Sequence, residues 1–230
     1  MDPSSASEIT RPFSSAEALR FGWRTTLANL TPLITLGAIG AVLAALGRAL
    51  ASPGNGALVI PFLGPGIQVL QIALALAFIR VSLALHDGRP VDLDRPAELL
   101  DGLLSYLVTS VLYGIVVTAG FILLIVPGVI WAVQFGVACF VAADAKLDPI
   151  EALRESSRLT RGVRWHLLGF GLLLSLVNLV GALAFGVGLF VTVPTTFLAA
   201  VYAFRRLQAR STSMALHRHH PDEPAALAAG

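Results

Sequence analysis

Gly102–Ala143 reads GLLSYLVTSVLYGIVVTAGFILLIVPGVIWAVQFGVACFVAA, 42 residues with no Asp, Glu, Lys or Arg. A helix needs about 20 mostly apolar residues to cross the hydrocarbon core of a bilayer, so this stretch is long enough to cross twice. Val126-Pro127-Gly128 near its middle predicts the turn between the two crossings. Leu167–Phe204 is a second such stretch of 38 residues, and Thr25–Gly47 and Ala49–Ile79 are two shorter ones. The whole chain is 56% hydrophobic and 13% charged, where soluble domains carry about a quarter of charged residues. A soluble core could not hide this much apolar surface, whereas lipid is itself an apolar solvent. Helices are predicted near Leu27–Gly47, Leu58–Leu85, Leu103–Val126, Pro127–Ala143, Leu167–Phe185 and Phe190–Phe204. The expected fold is all-α and integral to the membrane, with six transmembrane helices arranged as three hairpins. An arrangement with fewer crossings and one re-entrant segment stays open, because the fourth and sixth segments are short.

The charges decide which way the hairpins face. The first, third and fifth connections carry Arg48 alone. The other fifteen basic residues fall on the opposite side: Arg11, Arg20 and Arg24; Arg80, Arg89 and Arg95; Lys146, Arg154, Arg158, Arg161 and Arg164; Arg205, Arg206, Arg210 and Arg218. Excess Lys and Arg marks the cytoplasmic side, so both termini are expected there. The opening MDPSSASEITRPF has early acids and no apolar core, and predicts no cleaved signal peptide. The expected layout is a flexible tail over 1–13, a six-helix membrane domain over 14–206 and a flexible tail over 207–230. Trp23 and Trp165 on the inside and Trp131 on the outside suit headgroup depth, where an apolar ring with one N–H is favoured; ordinary packing also fits them.

A unit of short cytoplasmic helix, outward span, tight outer turn and inward span is expected three times. Ser14 with Glu17 and Asp148 with Glu151 have capping-box spacing, and Pro149 suits a first helical turn; Arg95–Leu100 is the diverged middle copy. The sharpest segment is Glu151–Trp165, EALRESSRLTRGVRW. Arg154, Arg158, Arg161 and Arg164 follow steps of four, three and three and line one helical face. Ile150, Leu153 and Leu159 supply the other. Two readings fit: a helix lying apolar side down on the cytoplasmic headgroups with its arginines near anionic phosphates, or a solvated loop helix whose charges only set topology. Gly162 is expected to end it.

Within the spans no residue ionises near neutral pH. Gln68, Gln71, Gln134 and Asn178 are the candidate polar intramembrane positions; they suit interhelical hydrogen bonds, or a polar path if they line one cavity. Arg80 and Asp144 sit at cytoplasmic ends. There is no P-loop, HExxH or GxSxG motif. His217-Arg218-His219-His220 with Asp222 and Glu223 reads as a solvated tail, and lone Cys139 makes neither disulfide nor metal cluster. No catalytic residue, cofactor or metal is expected. Sixteen basic against fourteen acidic residues give a net charge of only +2, which is no nucleic-acid signal.

Val126-Pro127-Gly128-Val129-Ile130-Trp131, the run Glu151-Ala152-Leu153-Arg154-Glu155-Ser156-Ser157-Arg158-Leu159-Thr160-Arg161-Gly162 and Trp165, followed by two spans, resemble a large group of bacterial polytopic membrane proteins. That group is related to the membrane domain found in some glycerophosphoryl diester phosphodiesterases. The resemblance implies the membrane fold. It does not carry the hydrolase activity, because in those enzymes the catalytic barrel is a separate domain, for which this chain has neither room nor an acid/base cluster. The expected function is therefore a non-enzymatic inner-membrane protein, a scaffold or regulator whose basic helix rests at the headgroups. The alternative is a small transporter or channel. Expected partners are the lipid bilayer with its anionic lipids and a membrane protein; oligomeric state is left open.

Overall fold

A computed structural model describes residues 13–51, 60–89, 101–123, 125–145, 147–183 and 188–219. The described residues fold into helices alone: α1 (Ser15–Ala28), α2 (Leu30–Ala51), α3 (Ile60–His86), α4 (Leu103–Leu123), α5 (Ile125–Phe135), α6 (Ala138–Ala145), α7 (Pro149–Leu159), α8 (Arg164–Leu183) and α9 (Leu189–His219). Five stretches among them are long and apolar enough to cross a membrane: Leu30–Ala49, Leu63–His86, Leu103–Leu123, Gly128–Ala145 and Arg164–Leu183. Their apolar side chains point outward. Ile122 is 80% exposed and Leu183 75%, and Val42, Leu104 and Leu172 are similarly bare. Soluble monomers rarely expose apolar patches beyond a few hundred Å², so this surface is suited to lipid.

The sixth expected segment is built differently. In α9 the apolar run is interrupted by Thr192, Pro194, Thr195 and Thr196 and stops at Arg205. This helix, less apolar than the five spanning stretches, is well enclosed. Leu198, Ala199, Val201, Phe204 and Leu207 are buried, and α9 packs against α1, α2, α3, α7 and α8. A polar-flecked helix belongs where neighbouring helices, rather than lipid, meet its hydroxyls. Thr195 Oγ1 donates to Thr26 Oγ1 of α1 at 3.2 Å, and Asn178 Nδ2 of α8 donates to Thr196 Oγ1 at 3.0 Å.

Glycine makes the tightest crossings. A Cβ on Gly22 would strike the Thr195 carbonyl oxygen, so α1 lies directly against α9. A Cβ on Gly120 would fall 2.9 Å from Gly128 Cα and equally close to the Trp131 ring. Trp131 thus packs over the α4–α5 hairpin rather than serving only as an interface anchor.

Several boundaries differ from the sequence reading. Asn29 separates α1 from α2, with its side-chain amide donating to the Thr25 carbonyl at 3.1 Å, so the first apolar helix starts at Leu30. Pro127 and Gly128 occupy the first turn of α5 rather than the turn before it; a proline there costs no hydrogen bond. The fourth segment is not one helix but two, broken at Gly136-Val137. α9 continues to His219 and buries Leu207 in the core, so the bundle does not end at residue 206. Ser14 caps α1 by accepting from the Glu17 N–H at 3.4 Å. Asp148 takes the cap position of α7 without a side-chain cap bond. The Arg95–Leu100 copy, the first outer connection and the His219-His220 tail chemistry lie outside the residues whose side chains are described.

Candidate functional site

α7 is the most amphipathic of the described helices, and most of its apolar side faces the protein. Ala152, Leu153, Ser156 and Leu159 are buried; Ala152 and Leu159 join a core cluster with Leu76, Tyr106, Val141 and Phe204. Of the apolar residues that the headgroup reading laid against lipid, Leu153 and Leu159 are instead buried in the protein, and Ile150 alone is exposed. The reason is the break in the fourth segment. Ending α5 at Phe135 frees its last carbonyls, and α7 supplies hydroxyls for one of them. Ser156 Oγ donates to the Gln134 carbonyl at 2.9 Å. Thr160 Oγ1 lies 3.2 Å from the same oxygen and 2.9 Å from the Ser156 carbonyl, sharing one proton between them. The Gln134 side chain completes the joint by donating Nε2 to Ser157 Oγ at 2.9 Å. Gly162, at φ +82°, turns the chain from α7 into α8, a backbone that only glycine adopts freely.

The opposite side of α7 carries only Arg154 and Arg158, because the helix ends at Leu159; Arg161 lies in the turn that follows and Arg164 opens α8, so the four arginines do not share one helical face. Arg154 and Arg161 are exposed and have no ion pair among the described residues. Arg158 is spoken for: its Nε and Nη2 donate to the two Glu155 carboxylate oxygens at 2.7 Å each, which raises the guanidinium pKa above its usual value. Arg164 opens α8 with its Nε buried and without a hydrogen-bond partner. Beside it Trp165 is 82% exposed. α1 repeats the combination with exposed Arg20, Trp23 and Arg24. Exposed Arg next to exposed Trp suits the boundary between hydrocarbon and headgroups.

The candidate polar positions do not come together. Gln71 lines a groove of about 300 Å³ between α2, α3 and α9, with Gly37, Gly40 and Phe197. Gln134 is taken up in the α7 joint, and Asn178 in the contact with Thr196. Gln68 is exposed on α3.

An ion cluster that no local motif announces ties the ends of α3 and α6 to the middle of α9. Arg205 Nη2 reaches Asp87 Oδ2 at 2.6 Å and Nη1 reaches Asp144 Oδ2 at 2.6 Å, with all three side chains about a fifth exposed. Gln208 bridges Arg205 and Asp144, and Arg89 and His86 also contact Asp87. Burial pushes the Asp87 carboxyl upward, but hydrogen bonds from Arg205, His86 and Arg89 outweigh it and hold the group below its usual value. Arg205 is raised: burial works against its charge, and the two carboxylates more than offset it. Asp87 and Asp144 lie 118 and 61 positions from Arg205, so only the fold could reveal the cluster. No group of three or more metal-ligating side chains occurs among the described residues.

Residues 99–222 match the family Domain of unknown function (DUF7847). That span contains the α4–α5 hairpin, the whole of α7 and the ion partners Asp144 and Arg205. No curated protein and no solved structure matches the chain.

Proposed function

The chain belongs to the family Domain of unknown function (DUF7847), and from that premise we propose a non-enzymatic multi-pass protein of the bacterial inner membrane. It crosses six times as three hairpins, with both termini in the cytoplasm, and it presents a basic collar to anionic headgroups. α9 counts as the sixth crossing because its neighbours shield its threonines from lipid. The observation that carries the role is the docking of α7. With its apolar side fixed by the Gln134 joint, Arg154 and Arg161 stand outward near bare Trp165, without ion pairs among the described residues. Each basic group near an anionic membrane surface contributes about 1 kcal/mol. Kinship with the membrane domain of glycerophosphoryl diester phosphodiesterases belongs to the same proposal, as a relation of fold and not of activity. A transporter would profit from polar groups meeting in one cavity, and Gln71, Gln134 and Asn178 in three separate settings favour a packing role instead.

The test is fluorescence of Trp165, with Trp23 and Trp131 replaced by Phe, in lipid nanodiscs. Brominated phosphatidylglycerol diluted into phosphatidylcholine should quench Trp165 more than its mole fraction predicts, and R154Q/R161Q should reduce that excess. Quenching no greater than that by brominated phosphatidylcholine would reject the collar.

A further inference from the structure

A lateral groove of about 570 Å³ runs between the α4–α5–α6 segment and the α8–α9 pair. Small-molecule sites span roughly 300–1,000 Å³. Its walls are mostly apolar; Val133, Phe140, Leu168, Gly171, Ala203 and Leu207 are among them. Neither Arg164 nor Arg210 lines the groove, but helical register continues its lining stripes to both. On α8, Arg164 precedes Leu168, Gly171 and Ser175 by four, seven and eleven residues, so it continues the lining stripe. On α9, Arg210 follows Leu207, Ala203 and Ala200 by three, seven and ten and does the same. The two helices are in register through Asn178 and Thr196, whose side chains bond at 3.0 Å. Fourteen residues back from Asn178 is Arg164, and fourteen forward from Thr196 is Arg210. Both guanidinium groups keep a buried Nε without a hydrogen-bond partner, and neither arginine has an ion pair among the described residues. Buried donors of this kind call for an acceptor, and planar guanidinium forks fit phosphate oxygens.

We propose that this groove holds one anionic phospholipid of the surrounding bilayer, its phosphate between Arg164 and Arg210 and one acyl chain along Leu168, Gly171 and Ala203. The site rests on the reading of the chain as a membrane protein with its arginine-bearing loops on one face, and it is distinct from the diffuse collar of Arg154 and Arg161. A phosphate alone would leave the apolar walls unused, and a zwitterionic lipid, although it has a phosphate, would bring its own cation toward the two guanidinium groups.

Native mass spectrometry of the full chain in detergent, titrated with phosphatidylglycerol, measures the occupancy. One phosphatidylglycerol should be retained in preference to phosphatidylcholine of the same chains. R164Q/R210Q should weaken retention about twenty-fivefold, at roughly fivefold for each charge removed. G171F should also abolish it with both arginines intact, since Gly171 lines the groove, a Cβ there meets nothing within 4 Å, and the ring would occupy the space of the acyl chain. R154Q/R161Q should leave it unchanged, which separates this site from the collar. Equal retention of both lipids, retention unaffected by either site variant, or loss in R154Q/R161Q would overturn the assignment. So would displacement of the lipid by inorganic phosphate at equal concentration.

Discussion

The hydroxyl of Ser156 donates to the backbone carbonyl of Gln134 at 2.9 Å, and this bond joins a loop helix to the break in the segment before it. The carbonyl is free only because α5 ends there, and the hydroxyl reaches it only because α7 turns its small residues inward. Removing the donor should therefore undock α7. S156A alone should cost about 1 kcal/mol, because the Thr160 hydroxyl remains; S156A/T160V should cost about 1–3 kcal/mol, since the carbonyl then stays unmet. Thermal unfolding in detergent measures the loss, and faster tryptic cleavage at Arg154 and Arg158 reports the undocking.

Arg205 between Asp87 and Asp144 predicts a second stability effect. R205M leaves two carboxylates facing each other and should destabilise by about 2–3 kcal/mol, less than a fully buried pair would lose. R205K keeps the charge but not the fork, and should recover only part of it.

The same cluster sets a pH dependence. Asp87 has its folded pKa below its unfolded value, so its contribution is complete above about pH 4, the unfolded carboxyl range, and fades as pH falls through the lower folded value. The midpoint of thermal unfolding should drop in acid for the native chain. D87N should begin lower at neutral pH and drop less on acidification. Parallel curves for the two proteins would contradict the role of Asp87.

Glycines divide into those that a neighbour crowds and those that none does. G22A puts a Cβ against the Thr195 carbonyl and should cost about 1–3 kcal/mol by forcing α1 from α9. G114A meets nothing within 4 Å and should instead gain about 0.5–1 kcal/mol from helix propensity. Side-by-side thermal unfolding of the two variants checks both signs.

The apolar segments were legible in the sequence because each is a run too long and too apolar for anything but a spanning or buried helix. The arginine stripe was legible only for Arg154 and Arg158, because steps of three and four keep residues on one face only while a helix runs, and α7 ends at Leu159. The direction of the α7 apolar side was not, since its partner is a backbone carbonyl 22 residues away that carries no side-chain signature. The break at Gly136-Val137 was hidden for a related reason: a single glycine in an apolar run is common in membrane helices that stay whole. Enclosure of α9 could have been suspected from its threonines and Pro194, which lipid would not welcome. The Arg205 cluster joins positions too far apart for any pattern to connect.

Sidedness underlies everything argued from the arginines. The most direct measurement is labelling of single cysteines in a C139A background by a membrane-impermeant maleimide on intact cells. R48C should react at once, and R161C only after the membrane is permeabilised. Labelling of R161C in intact cells, or protection of R48C until permeabilisation, would contradict the arrangement.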